Sequence, residues 1–141
     1  MATFNKFNQF VEDLAKKVHN LNSDTLKILL TNTAPVATHA VKADLTEISA
    51  GNGYSAGGAP STFSSGAQTS GTYKLVLNDV TFTAAGGSIA TFRYAVLYND
   101  TPTSPADPLI GWWDYGTNLT ITSGNSFTVD LDATNGVLQL V

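Results

Sequence analysis

A mainly β fold, an antiparallel β-sandwich or jelly roll with one N-terminal amphipathic α-helix, is predicted by three observations. The apolar residues Phe4, Phe7, Val11, Leu14, Val18 and Leu21 recur at alternating three- and four-residue steps, which places them on one stripe of a helix. Beyond residue 24, apolar residues instead alternate with Thr, Ser, Lys and Asn in short runs, the two-residue period of a strand. Gly, Asn, Ser and Pro punctuate those runs, as in sandwiches and barrels rather than in βαβ folds. The chain has 141 residues, enough for a single domain over 1–141 that folds without staples. Within it the helix covers 1–22 and the sandwich 25–141.

The helix is expected over residues 3–21, with Thr3 as its N-cap. Glu12 with Lys16 and Asp13 with Lys17 add i,i+4 pairs in the favourable order. Burying each stripe residue is worth roughly 1.5–3 kcal/mol, so leaving the stripe in water would forgo on the order of 10 kcal/mol. The helix must therefore dock, on its own sheet or on another copy. Asn22-Ser23-Asp24 then breaks the pattern, and residues 25–31 read as a strand with Leu26, Ile28 and Leu30 on one face. A looser region over 32–59 contains a helical turn near 43–48 and the run Gly51-Asn52-Gly53-Tyr54-Ser55-Ala56-Gly57-Gly58. That run reads as a mobile loop or an extended arm.

Further strands are expected at 73–78, 80–83, 88–99 (the longest), 109–115, 119–122, 127–132 and 137–141, with Asn135-Gly136 as a hairpin turn. Two of them carry apolar residues on both faces. Phe92, Tyr94, Val96 and Tyr98 oppose Ile89, Ala95 and Leu97, while Leu109, Trp113 and Tyr115 oppose Ile110 and Trp112. Neighbouring tryptophans on a strand point to opposite faces, so one core cannot take both. Either the N-terminal helix covers the second face, or a partner does.

Composition narrows the function. Charged residues make up 13% of the chain, against about 25% in ordinary domains. The exterior is therefore largely Thr, Ser, Asn, Gly and Ala. Net charge is −4, with seven scattered basic residues, whereas nucleic-acid binding needs them clustered. Cysteine is absent, which rules out disulfides and thiolate metal sites. No apolar signal segment follows Met1, and no run approaches the roughly 20 apolar residues of a membrane span. The chain is expected to stay in the cytoplasm where it is made, or to leave by assembly or lysis. The sequons at Asn99 and Asn118 read as chance in a Thr- and Asn-rich chain.

Groups able to carry chemistry are few. His19 and His39 are isolated, with no triad or metal spacing. Asp130 and Asp132 share a strand face at roughly 7 Å, a separation open to glycosidase-type work, but Ser126 and Thr128 mark that face as solvent-exposed. The run 130–136 has a calcium-loop flavour with ligand spacing off by one and no bidentate Glu. Trp112, Trp113 and Tyr115 offer a sugar-stacking platform, weighed against core packing and protein contact. No catalytic, cofactor-binding or metal-ligating residue is expected. The candidates for partner contact and self-association are Phe4, Phe7, Val11, Leu14, Val18, Trp112, Trp113 and Tyr115.

Three segments carry a family resemblance: Phe92-Arg93-Tyr94-Ala95-Val96-Leu97-Tyr98-Asn99-Asp100-Thr101 with Pro108-Leu109-Ile110-Gly111-Trp112-Trp113-Asp114-Tyr115-Gly116; Lys42-Ala43-Asp44-Leu45-Thr46-Glu47-Ile48 before Gly51-Asn52-Gly53-Tyr54; and Val129-Asp130-Leu131-Asp132-Ala133-Thr134-Asn135-Gly136-Val137. In them the chain resembles tailed-phage capsid cement (decoration) proteins of the jelly-roll type, like that of a short-tailed Bordetella phage. The resemblance implies a non-enzymatic virion protein on the outer capsid surface. It would clamp neighbouring major capsid subunits and pair with another copy of itself, with a dimer favoured. A receptor- or glycan-binding head-fibre or tail module is the alternative, and a glycan hydrolase using Asp130 and Asp132 comes third.

Overall fold

Leu26, Ile28 and Leu30 alternate with Lys27 and Leu29, and this run sits at the heart of the fold. The computed structural model describes residues 2–141. Its elements begin β1 (Phe4–Lys6), α1 (Asn8–Ala15), β2 (Leu26–Thr31), β3 (Ala59–Pro60), β4 (Phe63–Thr69) and β5 (Thr72–Leu77). They continue β6 (Val80–Thr83), β7 (Phe92–Asn99), β8 (Leu109–Leu119), β9 (Ser126–Val129) and β10 (Leu138–Leu140), with a 3-10 turn at Lys42–Asp44. The fold is mainly β and antiparallel, with one α-helix among the described residues, as the sequence predicts.

One layer is a five-stranded sheet in the order β1-β8-β7-β2-β3, and facing it are a three-stranded sheet β10-β5-β4 and a two-stranded ribbon β6-β9. Leu26, Ile28 and Leu30 of β2, Ala95 and Leu97 of β7, and Ile110 and Trp113 of β8 form the inner face of the large sheet. They meet Leu75, Leu77, Val80, Phe82, Val129 and Leu138 from the facing layer. A second, smaller core lies on the outer face, where Leu29, Val96, Tyr98 and Leu109 bury Phe7. The two-faced apolar strands are thus accounted for within one chain. The cover comes from Phe7 and Leu45 rather than from a helix lying flat on the sheet.

Several sequence expectations change. The helix is 8 residues long, from Asn8 to Ala15, not residues 3–21. Residues 4–6 instead form β1, pairing Phe4 with Trp113, Asn5 with Trp112 and Lys6 with Gly111. The bare Cα of Gly111 makes room for the Phe4 ring, which would lie 2.2 Å from a Cβ there. The N-cap is Phe7, not Thr3, and no side chain caps it. At the other end Lys17 adopts φ +66°. Its N–H donates to the Leu14 carbonyl at 3.3 Å and that of Val18 to the Asp13 carbonyl at 2.9 Å. This paired left-handed cap ends the helix.

Strand boundaries shift as well. β8, with 11 residues, is longer than β7, with 8, and runs through Leu119, absorbing the start of the expected 119–122 strand. A register irregularity between Leu97 and Tyr98 leaves Ile110 without an opposing residue. Such a bulge shifts the alternation, so Leu109 joins Trp112 on the outer face and Ile110 joins Trp113 inside. A second irregularity, between Phe92 and Tyr94, sends Phe92 into the main core away from Val96 and Tyr98. Asn135-Gly136 is a turn but not a hairpin, because β10 pairs with β5 and β9 with β6.

Candidate interaction surfaces

The eight residues expected to mediate contact are distributed unevenly. Phe7 is 0% exposed and lies against Trp112 at 4.5 Å between ring centroids. Trp113 is 5% exposed and takes Phe4 edge-on at 5.4 Å. Tyr115 meets Phe127 edge-on at 5.1 Å, and burial pushes its phenol up to about 12. These rings spend their surface inside the chain. Trp112 sits on the outer face and Trp113 on the inner, so no shared row of open rings forms. Val11 is 52% exposed, on the solvent side of the short helix. Leu14 and Val18 border a groove of about 510 Å³ whose other walls include Leu21, Tyr73 and Leu140.

The glycine run 51–58 is an anchored element. Tyr54, buried, accepts from the Leu30 N–H at 3.0 Å and donates to the Glu47 carboxylate at 2.6 Å. The same carboxylate accepts from the Gly57 N–H at 2.7 Å, and the Gly57 carbonyl accepts from the Tyr98 hydroxyl at 2.6 Å. Burial chiefly raises both phenols above their ordinary range. Four hydrogen bonds therefore tie residues 47–57 to β2 and β7. Sequence reasoning missed this because glycine spacing carries no sign of the Tyr54 and Tyr98 contacts.

Asp130 and Asp132 both border a cleft of about 190 Å³ walled by Phe4 and Trp113. Asp132 is committed there: it accepts from the Thr134 and Asn135 N–H groups and from Asn135 Nδ2, each within 2.9 Å. The Asn135 backbone and side chain hold its carboxyl below the usual range, opposite to what a general acid needs. Among the described residues, no three His, Asp or Glu side chains converge to hold a metal ion. Likewise, no helix there is long and apolar enough to cross a membrane. His39 lies in the 34–40 loop, where its Nδ1 accepts from the Val36 N–H at 3.2 Å.

The surface that stands out is β4. Its seven residues, Phe-Ser-Ser-Gly-Ala-Gln-Thr, contain no charge and no proline, and all but Gly66 are exposed. It pairs with β5 along one edge, and no strand among the described residues pairs with the other. Phe63, 37% exposed, stands at its start. Natural edge strands are usually guarded by charge, proline, bulges or cover; β4 has one bulge, at Ser64 near its start, and neither charge nor proline along its length. Compared with family models, curated proteins and solved structures, the chain gives no match.

Proposed function

We propose that the chain is a structural virion protein: a cement protein, with jelly-roll strand connections, that binds the outer surface of a phage head lattice and bridges major capsid subunits. It needs no cofactor, catalyses no reaction, is made in the host cytoplasm and joins the head as a homo-oligomer, in the simplest case a dimer. The single observation that carries this reading is the unpaired outer edge of β4, a strand of seven uncharged residues. An extended segment of a capsid subunit can add to such an edge through main-chain hydrogen bonds. Many such modest contacts to a fixed lattice sum to strong retention. The resemblance in residues 42–54, 92–116 and 129–137 supports the same role.

Quantitative mass spectrometry of purified particles tests it. A copy number equal to that of the major capsid protein, or a simple fraction of it, is the expected result. A handful of copies, or none, overturns it. Ala67→Lys supplies the second arm, placing a charge on the exposed strand. This variant should keep the native melting temperature and lose co-sedimentation with protein-free heads. Undiminished binding would remove β4 as the contact.

A further inference from the structure

We propose that His19 is a proton-operated latch: neutral, it holds the α1–β2 connection (residues 16–24) against the end of β7, and protonated, it lets that connection go. His19 is 5% exposed and lies against Phe10 at 5.2 Å between ring centroids. Its tautomer is set by Asn99, the fully buried last residue of β7. Asn99 Oδ1 accepts from the Thr101 N–H at 3.1 Å, and its Nδ2 donates to Asp24 Oδ2 at 2.7 Å. These two bonds fix which end of the amide is which. The same Nδ2 lies 3.0 Å from His19 Nδ1, so Nδ1 must accept.

The proton of the neutral ring therefore sits on Nε2, which is buried without a partner. A second proton can be added only at Nδ1, where it would set N–H against N–H. Turning the Asn99 amide to receive it would break the bonds to Asp24 and Thr101. Asp24 Oδ2 also accepts from the Asn20 N–H at 2.8 Å, so the same carboxylate ties the connection to itself and to β7. Protonation thus acts on the junction that pins residues 19–24.

The charged and titratable groups around the ring are Asp13 from α1, Asp24 from the connection, and Lys17 and Tyr73, which border the adjoining groove of about 510 Å³. Asp13 Oδ2 is itself buried and unpartnered. Both carboxylates favour the imidazolium, but burial is the larger influence and holds His19 below the ordinary imidazole range. Opening the connection exposes the ring to water, where it titrates near the ordinary value of about 6.5. Opening then takes up a proton, so its equilibrium constant rises about tenfold per pH unit below that value until the closed form titrates too. Release frees Leu21 and widens the apolar groove bordered by Leu14, Val18 and Leu140.

Long-range ¹H–¹⁵N NMR of the native protein, in a His39→Asn background for unambiguous assignment, should show the Nε2–H tautomer for His19 at pH 7.5. Amide hydrogen exchange corrected for intrinsic rates should show opening of residues 16–24 enhanced up to about tenfold at pH 5.5 over pH 7.5, with β2 and β7 still protected. His19→Gln, which can accept from Asn99 without titrating, should flatten that response. An Nδ1–H tautomer, an unchanged opening constant between the two pH values, or an equal response in His19→Gln overturns the latch. Should the glutamine variant not fold, the tautomer and the exchange profile of the native protein decide by themselves.

Discussion

Truncating Phe7 and Val11 separately to alanine separates the observed N-terminal segment from the long helix that the sequence pattern implies. On one continuous stripe the two residues would be equivalent. In the structure Phe7 is 0% exposed, enclosed by Leu29, Val96, Tyr98 and Leu109, whereas Val11 is 52% exposed. Emptying a fully enclosed phenylalanine site costs about 3–5 kcal/mol, the transfer of the ring plus the cavity it leaves. An exposed valine changes stability by about 0.5 kcal/mol at most. For a chain of this size each kcal/mol moves the melting temperature by roughly 2–4 °C. Phe7→Ala should therefore melt about 6–20 °C lower and Val11→Ala within about 2 °C of the parent. Urea titration followed by tryptophan emission reports the same difference, since Trp112 lies 4.5 Å from the Phe7 ring. Equal midpoint shifts at unchanged denaturant slope would refute the placement of Phe7 beneath the outer face.

Further measurements test other parts of the fold. Trp113→Ala should cost about 3–5 kcal/mol because Trp113 belongs to the main core. Trp112→Ala should cost distinctly less, since its ring is only half-buried on the smaller core, and equal losses in chemical denaturation would contradict that division. Lys17→Gly should raise stability by about 1 kcal/mol, because a left-handed residue with a Cβ costs roughly 1–2 kcal/mol and Lys17 sits at φ +66°; a lower melting temperature would contradict the cap. Gly58→Ala should destabilise by at least about 2 kcal/mol, since Gly58 has φ +78° and a Cβ there would lie 1.9 Å from the Ile28 carbonyl oxygen. A variant with parental stability would show that the 51–58 segment does not press against β2.

Local alternation of apolar and polar residues is enough to read the antiparallel β class, the inner face of β2 with Leu26, Ile28 and Leu30, the short strand at 80–83, and the opposite placement of Trp112 and Trp113. Each follows from alternation within one strand, a property that needs no partner to be read. Where two segments compete for the same atoms, long-range pairing settles the outcome. Phe4 satisfies a helical period, yet β8 has an open edge, and pairing residues 4–6 with 111–113 satisfies backbone groups that a helical turn would leave unused there. The bulge at Ile110 inverts the faces of β8, and only the register against β7 records it. Anchoring of the glycine run depends on Glu47, Tyr54 and Tyr98, which are up to 51 residues apart in the chain and meet only after β2 and β7 are paired. The same holds for the candidate sites. The uncharged composition of residues 63–69 is visible in the sequence, but which edge of that strand stays unpaired is a matter of strand order. His19 looks like an isolated helix-end histidine until the fold brings Asn99, 80 residues away, to its Nδ1. Local periodicity fixes which face a side chain takes, and long-range pairing fixes what that face meets.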